Sequence, residues 1–185
     1  QLTDYINSAR QRVVRDTGCL RSYQTTATVA QQEVYTFSSL PQGTKTTDII
    51  NINLIWGSTR IPLRYLPWTQ FNAQLRYWQN YIGTPIAFST YGQGQLYIGP
   101  VPDQVYAVDL DTVILPTAMV NLSDTDTIND PYTTVVKYYA AHVAKYYEQS
   151  FGEAELYLQQ YKQKTQAVLV STYTRRIPDP YNNPY

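Results

Sequence analysis

Cysteine, histidine and charge are scarce in this chain, and each scarcity closes off a class of function. One cysteine in 185 residues excludes a disulfide framework or a thiolate zinc site within a single chain. One histidine excludes a multi-histidine metal centre in one subunit. Charged residues make up 15% of the chain, against about a quarter in an ordinary soluble domain. Lys+Arg and Asp+Glu number 14 each, for a net charge of zero, which argues against strongly electrostatic binding to nucleic acid or membrane. No run approaches the roughly 20 apolar residues of a membrane span. Residues 1–13 lack the apolar core of a signal peptide, so the cytoplasm, or something assembled there, is the expected compartment and no membrane partner is expected.

Tyrosine stands where charge is missing. There are 19 tyrosines, with much Thr and Gln beside them. The apolar content of 43% supports a core, and the length allows one domain that buries roughly 70% of its unfolded surface. Such a composition suits wide protein contact better than catalysis.

Periodicity predicts an α+β fold. Leu2, Ile6, Ala9 and Val13 share a helical stripe, with Arg10, Arg12 and Arg15 mostly off it, and Gly18 is placed to end a helix over about 3–16. Residues 24–38 read as strand up to the turn Pro41-Gln42-Gly43. Ile50, Ile52 and Leu54 alternate as a half-buried strand, and Ile61-Pro62-Leu63 returns as an edge strand. Trp68, Phe71, Leu75, Trp78 and Ile82 mark a helix over about 67–82, closed by Gly83. Gly92 and Gly94 turn a hairpin between 86–89 and 95–98, and Tyr106, Val108 and Leu110 alternate into a further strand. Asp130-Pro131 reads as an N-cap and first-turn proline for a helix over 131–149. This helix is apolar on more than one face, leaving a polar strip of Lys137, Ala141, Lys145 and Glu148, so it needs cover on more than one side. Ser150 and Glu153 have capping-box spacing for a last helix over 153–170, in a hairpin or a broken rod with the one before.

The expected architecture is a small helical bundle, made of the N-terminal helix and the two C-terminal ones. It carries an inserted antiparallel β-rich region (about 24–115) with a short helix. Residues 1–171 form the main domain, and 172–185 an extended arm with three prolines and three tyrosines, suited to lie on another surface.

Charge is segregated along the chain. Residues 1–100 carry net +4, residues 101–130 six Asp and no base, and residues 131–185 net +2. Either the acidic segment mates with a basic face of another subunit or it is a solvated loop.

Catalytic, metal and cofactor sites find no support. Asp124, Asp126 and Asp130 resemble part of a calcium loop but lack its turn glycine and terminal Glu. Asp109 and Asp111 point to one face of a strand with no nucleophile beside them, and read as a solvated strand edge. Gly92-Gln93-Gly94 lacks the rest of a phosphate loop. Cys19 has no base near it in sequence, and His142 reads as structural. Arg60, Arg64 and Arg76 lie near Tyr65, Tyr77 and Trp78, an interleaving seen in single-strand binders, but Trp78 belongs to the apolar stripe. An enzyme is not expected. A neutral chain does fit non-specific passage of double-stranded DNA.

The order of features resembles the head-to-tail adaptor, or connector, proteins of tailed bacteriophages, particularly short-tailed ones. The likeness rests on a short N-terminal helix, the strand start Gly83-Thr84-Pro85 and the run Leu96-Tyr97-Ile98-Gly99-Pro100-Val101-Pro102. A Tyr/Ala-rich helix (Tyr138-Tyr139-Ala140-Ala141-His142-Val143-Ala144) and a further helix complete it. The resemblance implies a structural virion protein at the head–tail junction, forming a dodecameric ring beneath the portal and continuing the DNA channel to a tail or nozzle protein. It makes Tyr173, Arg175, Arg176, Ile177, Pro178, Pro180, Tyr181 and Tyr185 candidates for a portal-docking arm. Lys137 and Lys145 become candidates for the channel face, and Tyr138, Tyr139, Tyr146 and Tyr147 for contacts between subunits. The alternative is a carbohydrate- or protein-binding module of a tail appendage, which needs aromatics on one exposed face.

Overall fold

In chain order the elements are α1 (Leu2–Thr17), β1 (Arg21–Ala27), β2 (Val34–Thr36), β3 (Thr46–Trp56), β4 (Thr59–Pro62), β5 (Arg64–Tyr65), α2 (Trp68–Trp78), β6 (Ile82–Gly83), β7 (Ala87–Tyr91), β8 (Gln95–Gly99), β9 (Val101–Pro102), β10 (Ala107–Ile114), α3 (Thr133–Tyr147) and α4 (Phe151–Tyr173). The computed structural model describes residues 1–78, 80–92, 94–121 and 123–173, without the side chains of Leu75, Arg76, Trp78 and Tyr173. The fold is α+β. Leu20–Leu115 form a β-rich unit; Gln1–Cys19 and the described part of Pro116–Tyr185 form a helical one.

The β-rich unit pairs two four-stranded sheets, ordered β1-β10-β3-β4 and β2-β8-β7-β5. Their inner faces share one core, with Ile52, Leu54, Val108 and Leu110 from the first and Tyr35, Phe88, Leu96 and Ile98 from the second. The chain changes sheets at Leu63, which is buried and donates its N–H to Ile52 O (2.8 Å). Pro62 lies in β4, at the edge of the first sheet, where a missing N–H is tolerated. Gly92 and Gly94 turn the β7–β8 hairpin at φ 57° and 102°, the left-handed values glycine reaches without strain.

Three sequence expectations change here. Residues 24–38 form two strands in different sheets rather than one, because Gln31 at φ 63° reverses the chain between them. Ile50 is exposed although Ile52 and Leu54 are buried. The β3–β10 register skips Ile50 between Asn51↔Asp111 and Ile49↔Thr112, and such a bulge inverts side-chain alternation, so Ile49 takes the inward place. The helix expected to reach residue 82 ends by Trp78, because Ile82 and Gly83 pair with Val101 and Pro102 in a small parallel sheet. Ile82 is consequently exposed, while Phe71 is buried against Leu66 and Ala87.

In the helical unit, α3 and α4 form an antiparallel hairpin: Tyr139 rests on Tyr161 and His142 reaches Ala154. Helix α1 packs on both, with the Tyr161 hydroxyl donating to Asp16 (2.7 Å) and Tyr5 stacked on Tyr147 (5.4 Å). Gly18 ends α1 at φ 60°, its N–H on Val14 O. Helix α3 begins at Thr133, not at 131. The Asp130–Pro131 bond is cis, and an Asn129–Tyr132 turn, closed by Tyr132 N–H to Asn129 O (3.1 Å), occupies the place of a first helical turn. Helix α4 runs to Tyr173, beyond the expected end at 170.

The hairpin turn has its own chemistry. Ser150 N–H bonds Lys145 O and Gln149 N–H bonds Tyr146 O, the two bonds of a Schellman cap. Its left-handed residue is Gln149, at φ 62°. An L-residue there is strained by about 1–2 kcal/mol, partly offset for glycine by greater freedom when unfolded. Gln149→Gly is therefore expected to stabilise the protein by about 0.5–1 kcal/mol. A higher urea midpoint at unchanged slope is the readout; a lower one would show that the Gln149 side chain holds the turn.

Candidate interaction surfaces

Five of the six Asp in the acidic middle of the chain have partners within the chain. Asp103 accepts from the Tyr106 hydroxyl (2.6 Å), and Asp111 meets Arg21 (3.2 Å). Asp124 accepts the N–H groups of Val120 (2.7 Å) and Asn121 (2.9 Å), which hold its carboxyl below the usual range. Asp103 and Asp130 stay exposed, so the segment keeps surface open to solvent or to another subunit. Among the described residues no group of three or more His, Cys, Asp or Glu is arranged to hold a metal.

Arg10 is the largest departure from the helical stripe read in the sequence. It is 1% exposed, and its guanidinium contacts Asp126 Oδ1 through Nε (3.0 Å) and Nη2 (2.7 Å). It also reaches Thr117 O (2.8 Å), Asn7 Oδ1 (3.3 Å) and Thr127 Oγ1 (3.5 Å). A guanidinium has five donors, and partners stand in place for each. Asn7 exchanges two 2.9 Å bonds with the Met119 backbone. Together Arg10 and Asn7 fasten the segment before α3 onto α1.

Asp109 is likewise no solvated edge. Its strand, β10, is central, and the side chain is nearly fully buried. It accepts from Tyr23 Oη (2.5 Å), Thr25 Oγ1 (2.7 Å) and Arg60 Nε (2.9 Å). The Tyr23 and Thr25 hydroxyls, then Arg60, hold its carboxyl below the usual range against the opposing effect of burial. Arg60 is thereby committed to an acid rather than to an open basic patch. Arg64 is exposed on β5, and the side chains of Arg76 and Trp78 lie outside the described residues.

The aromatic residues divide into packed and presented sets. Tyr139 is half-buried between His142 and Tyr161; burial, then the bond to Asp16, pushes the Tyr161 hydroxyl well above the usual tyrosine range. Tyr138 is half-buried beneath the Lys137 ammonium, 5.3 Å from its ring centre. At the hairpin end Tyr146, Tyr147 and Phe151 are 57%, 69% and 60% exposed. Tyr146 touches both of the others edge-on. In the β-rich unit Trp68 is half-buried between Tyr91 (4.4 Å) and Tyr97 (4.6 Å), so it packs on its neighbours instead of offering an open carbohydrate platform.

The proposed channel lysines differ from one another. Lys137 is exposed. Lys145 is tied to Glu148 (2.9 Å) and Glu153 (3.1 Å), which raise its affinity for its proton. Glu153 thus serves an ion pair across the hairpin. Of the proposed arm, Tyr173 is the last helical residue of α4, while Arg175, Arg176, Ile177, Pro178, Pro180, Tyr181 and Tyr185 lie outside the described residues.

Buried charges answered within the chain, with large aromatics left at its surface, fit a protein that makes contacts with others. A family model described as "SU10 adaptor protein" matches residues 1–183, and the chain belongs to that family. It is a phage adaptor, a structural component of the virion that associates with other virion components, and its family implies a non-enzymatic role. No curated protein matches the chain.

Proposed function

We propose that copies of this adaptor assemble as a ring at the head–tail junction, joining the portal to the tail and continuing the DNA channel. The observation that carries the reading is the aromatic end of the α3–α4 hairpin, where Tyr146, Tyr147 and Phe151 stay exposed in an adaptor whose buried Arg10 and Asp109 are paired within the chain. Tyrosine suits such contacts because it offers a large rigid area with a polar tip. A head-to-tail contact between unlike surfaces closes into a ring when its rotation allows. The absence of net charge fits passage of DNA without retention, with Lys137 the lysine of the two whose charge is not held in a carboxylate pair. The segment carrying Arg175, Arg176, Ile177, Pro178, Pro180, Tyr181 and Tyr185 is the reach toward the portal.

Mass measurement tests this, on the full chain alone and mixed with a purified portal ring. A closed oligomer, or one formed on the portal, is expected. Tyr146→Ser/Phe151→Ser, which spares the Tyr147 stack on Tyr5, should shift the mass toward monomer by tenfold or more in concentration while the chain still melts cooperatively. A chain that stays monomeric and ignores the portal sinks the reading.

A further inference from the structure

Among the described residues the edge of β1 is free, and with a cavity beside its end it forms a ready-made seat for an extended polypeptide. β1 ends its sheet, and its register fixes which backbone groups are spare. Ile114 N–H bonds Leu20 O and Thr28 N–H bonds Tyr106 O, and Arg21↔Val113 through Ala27↔Ala107 keep the same register between them. Antiparallel bonding alternates, so the even residues face β10. Arg21, Tyr23, Thr25 and Ala27 turn their N–H and C=O groups outward, and all four residues are exposed. The other sheet edges are less open: β4 carries Pro62, and β2 and β5 are three and two residues long. Natural sheets guard their edges by such means. Over its seven residues β1 has no proline.

Next to β1 lies a cavity of about 230 Å³ between the two sheets. Its floor is apolar, with Leu40, Leu96, Ile98 and Val108 buried, and exposed Val29 and Ser39 stand at its rim. A dry cavity of about 150 Å³ takes a benzene ring, so this one has room for a phenol with its hydroxyl near the polar rim.

We propose that this edge and cavity receive the C-terminal segment, residues 174–185, of a second copy of the chain. The inference rests on copies meeting, as in the ring above. Twelve residues follow Tyr173, enough to span about 37 Å when extended, while β1 is about 23 Å long. Pro178, Pro180 and Pro184 all occupy even positions. Laid extended, the segment therefore offers the N–H groups of Ile177, Asp179 and Tyr181 along one side and its prolines along the other. It can add to one sheet edge and pass no ladder on. In a parallel ladder a residue that bonds lies opposite one that does not, so the odd side chains sit beside the even, inward-facing side chains of β1. That places Ile177 or Tyr181 over the cavity, backbone bonds giving affinity and the pocket giving specificity. One arm fills one seat at a time, so engagement of the portal empties this one.

Cysteine pairing between full-length copies tests the seat. In a Cys19→Ser background, one tagged copy carries Thr26→Cys and a differently tagged copy carries Ile177→Cys, Tyr181→Cys or Asn182→Cys. A disulfide needs Cα atoms within about 7 Å. The better of the 177 and 181 partners is expected to give a linked pair of unlike tags at least tenfold more abundant than the 182 partner, whose side chain faces the other way. Ala27→Pro in the receiving copy removes an outward N–H that the sheet does not use, and should cut linkage tenfold; Ala27→Val should leave it intact. A yield at 182 equal to that of the better of 177 and 181, or no linkage between unlike tags, overturns the proposal. A ring that forms without this linkage ends the seat alone, whereas a chain that never self-associates ends the ring.

Discussion

Arg10→Met lowers the stability of the protein by about 3–5 kcal/mol, the expected consequence of breaking a buried ion pair from one side. Methionine keeps most of the length of the stem, so the loss reports the charge and its hydrogen bonds rather than a cavity. It leaves Asp126, whose side chain is only 21% exposed, without its cation, and removes the Arg10 bond to the Thr117 carbonyl. Asp126 keeps the Ile128 N–H (3.0 Å), which is too little to balance a desolvated carboxylate. Urea unfolding measures the loss, and the double variant Arg10→Met/Asp126→Leu should recover most of it, because it removes the stranded charge as well. A single-variant loss below about 1 kcal/mol would mean that the guanidinium behaves as a solvated surface group.

Asp109→Asn has the second-largest expected effect, about 2–3 kcal/mol at neutral pH, the range for hydrogen bonds to a charged group. The amide keeps the shape of the carboxylate but loses its attraction for Arg60 and turns an N–H₂ toward donors. The pH dependence follows from the lowered carboxyl pKa of Asp109. A depressed folded-state value means that the unfolded chain binds the proton more readily, so stability rises with pH through this window. The contribution is complete above the ordinary carboxyl value, 3.8, and disappears as pH falls through the depressed one. Wild type and Asp109→Asn should therefore differ most at pH 5–7 and converge in acid. A gap that persists unchanged at pH 2 would falsify the assignment of the stability to the ionised carboxylate.

Both of these side chains show where sequence reasoning stopped. The α+β class, the N-terminal helix, the β7–β8 hairpin and the two C-terminal helices were legible because their signals are local: apolar spacing, paired glycines, a glycine past a helix end. Ile50 was misread because a bulge depends on the partner strand, and Ile82 because a two-residue sheet overrides its helical spacing. Arg10 looked like a solvent-facing residue beside a stripe of Ala9 and Val13. The information that it is buried sits 116 positions away in Asp126, and that separation has no local trace. One coarse signal was present: thirty residues with six acids and no base ask where the cations are. Arg10, Arg21 and Arg60 answer that question. The exposed aromatic end of the hairpin was half legible, since Tyr146 and Tyr147 stood out by composition. Nothing in the sequence separated them from Tyr139, which packs inside.

The helical unit is assembled from both ends of the chain, with the β-rich unit strung between them, and this sets an order of events on the ribosome. Residues 20–115 contain every strand of the two four-stranded sheets, so that unit has all its partners while the rest of the chain is still being made. Helix α1 emerges before that unit and is completed after it. Ala9, Val13, Val14 and the Arg10 guanidinium stay uncovered until residues 116–173 follow, roughly 3–12 s at about 5–20 residues per second. During that interval the nascent chain presents an unsatisfied amphipathic helix ahead of a finished β-rich body, which makes α1 the place where folding assistance, or premature association with another nascent copy, would act.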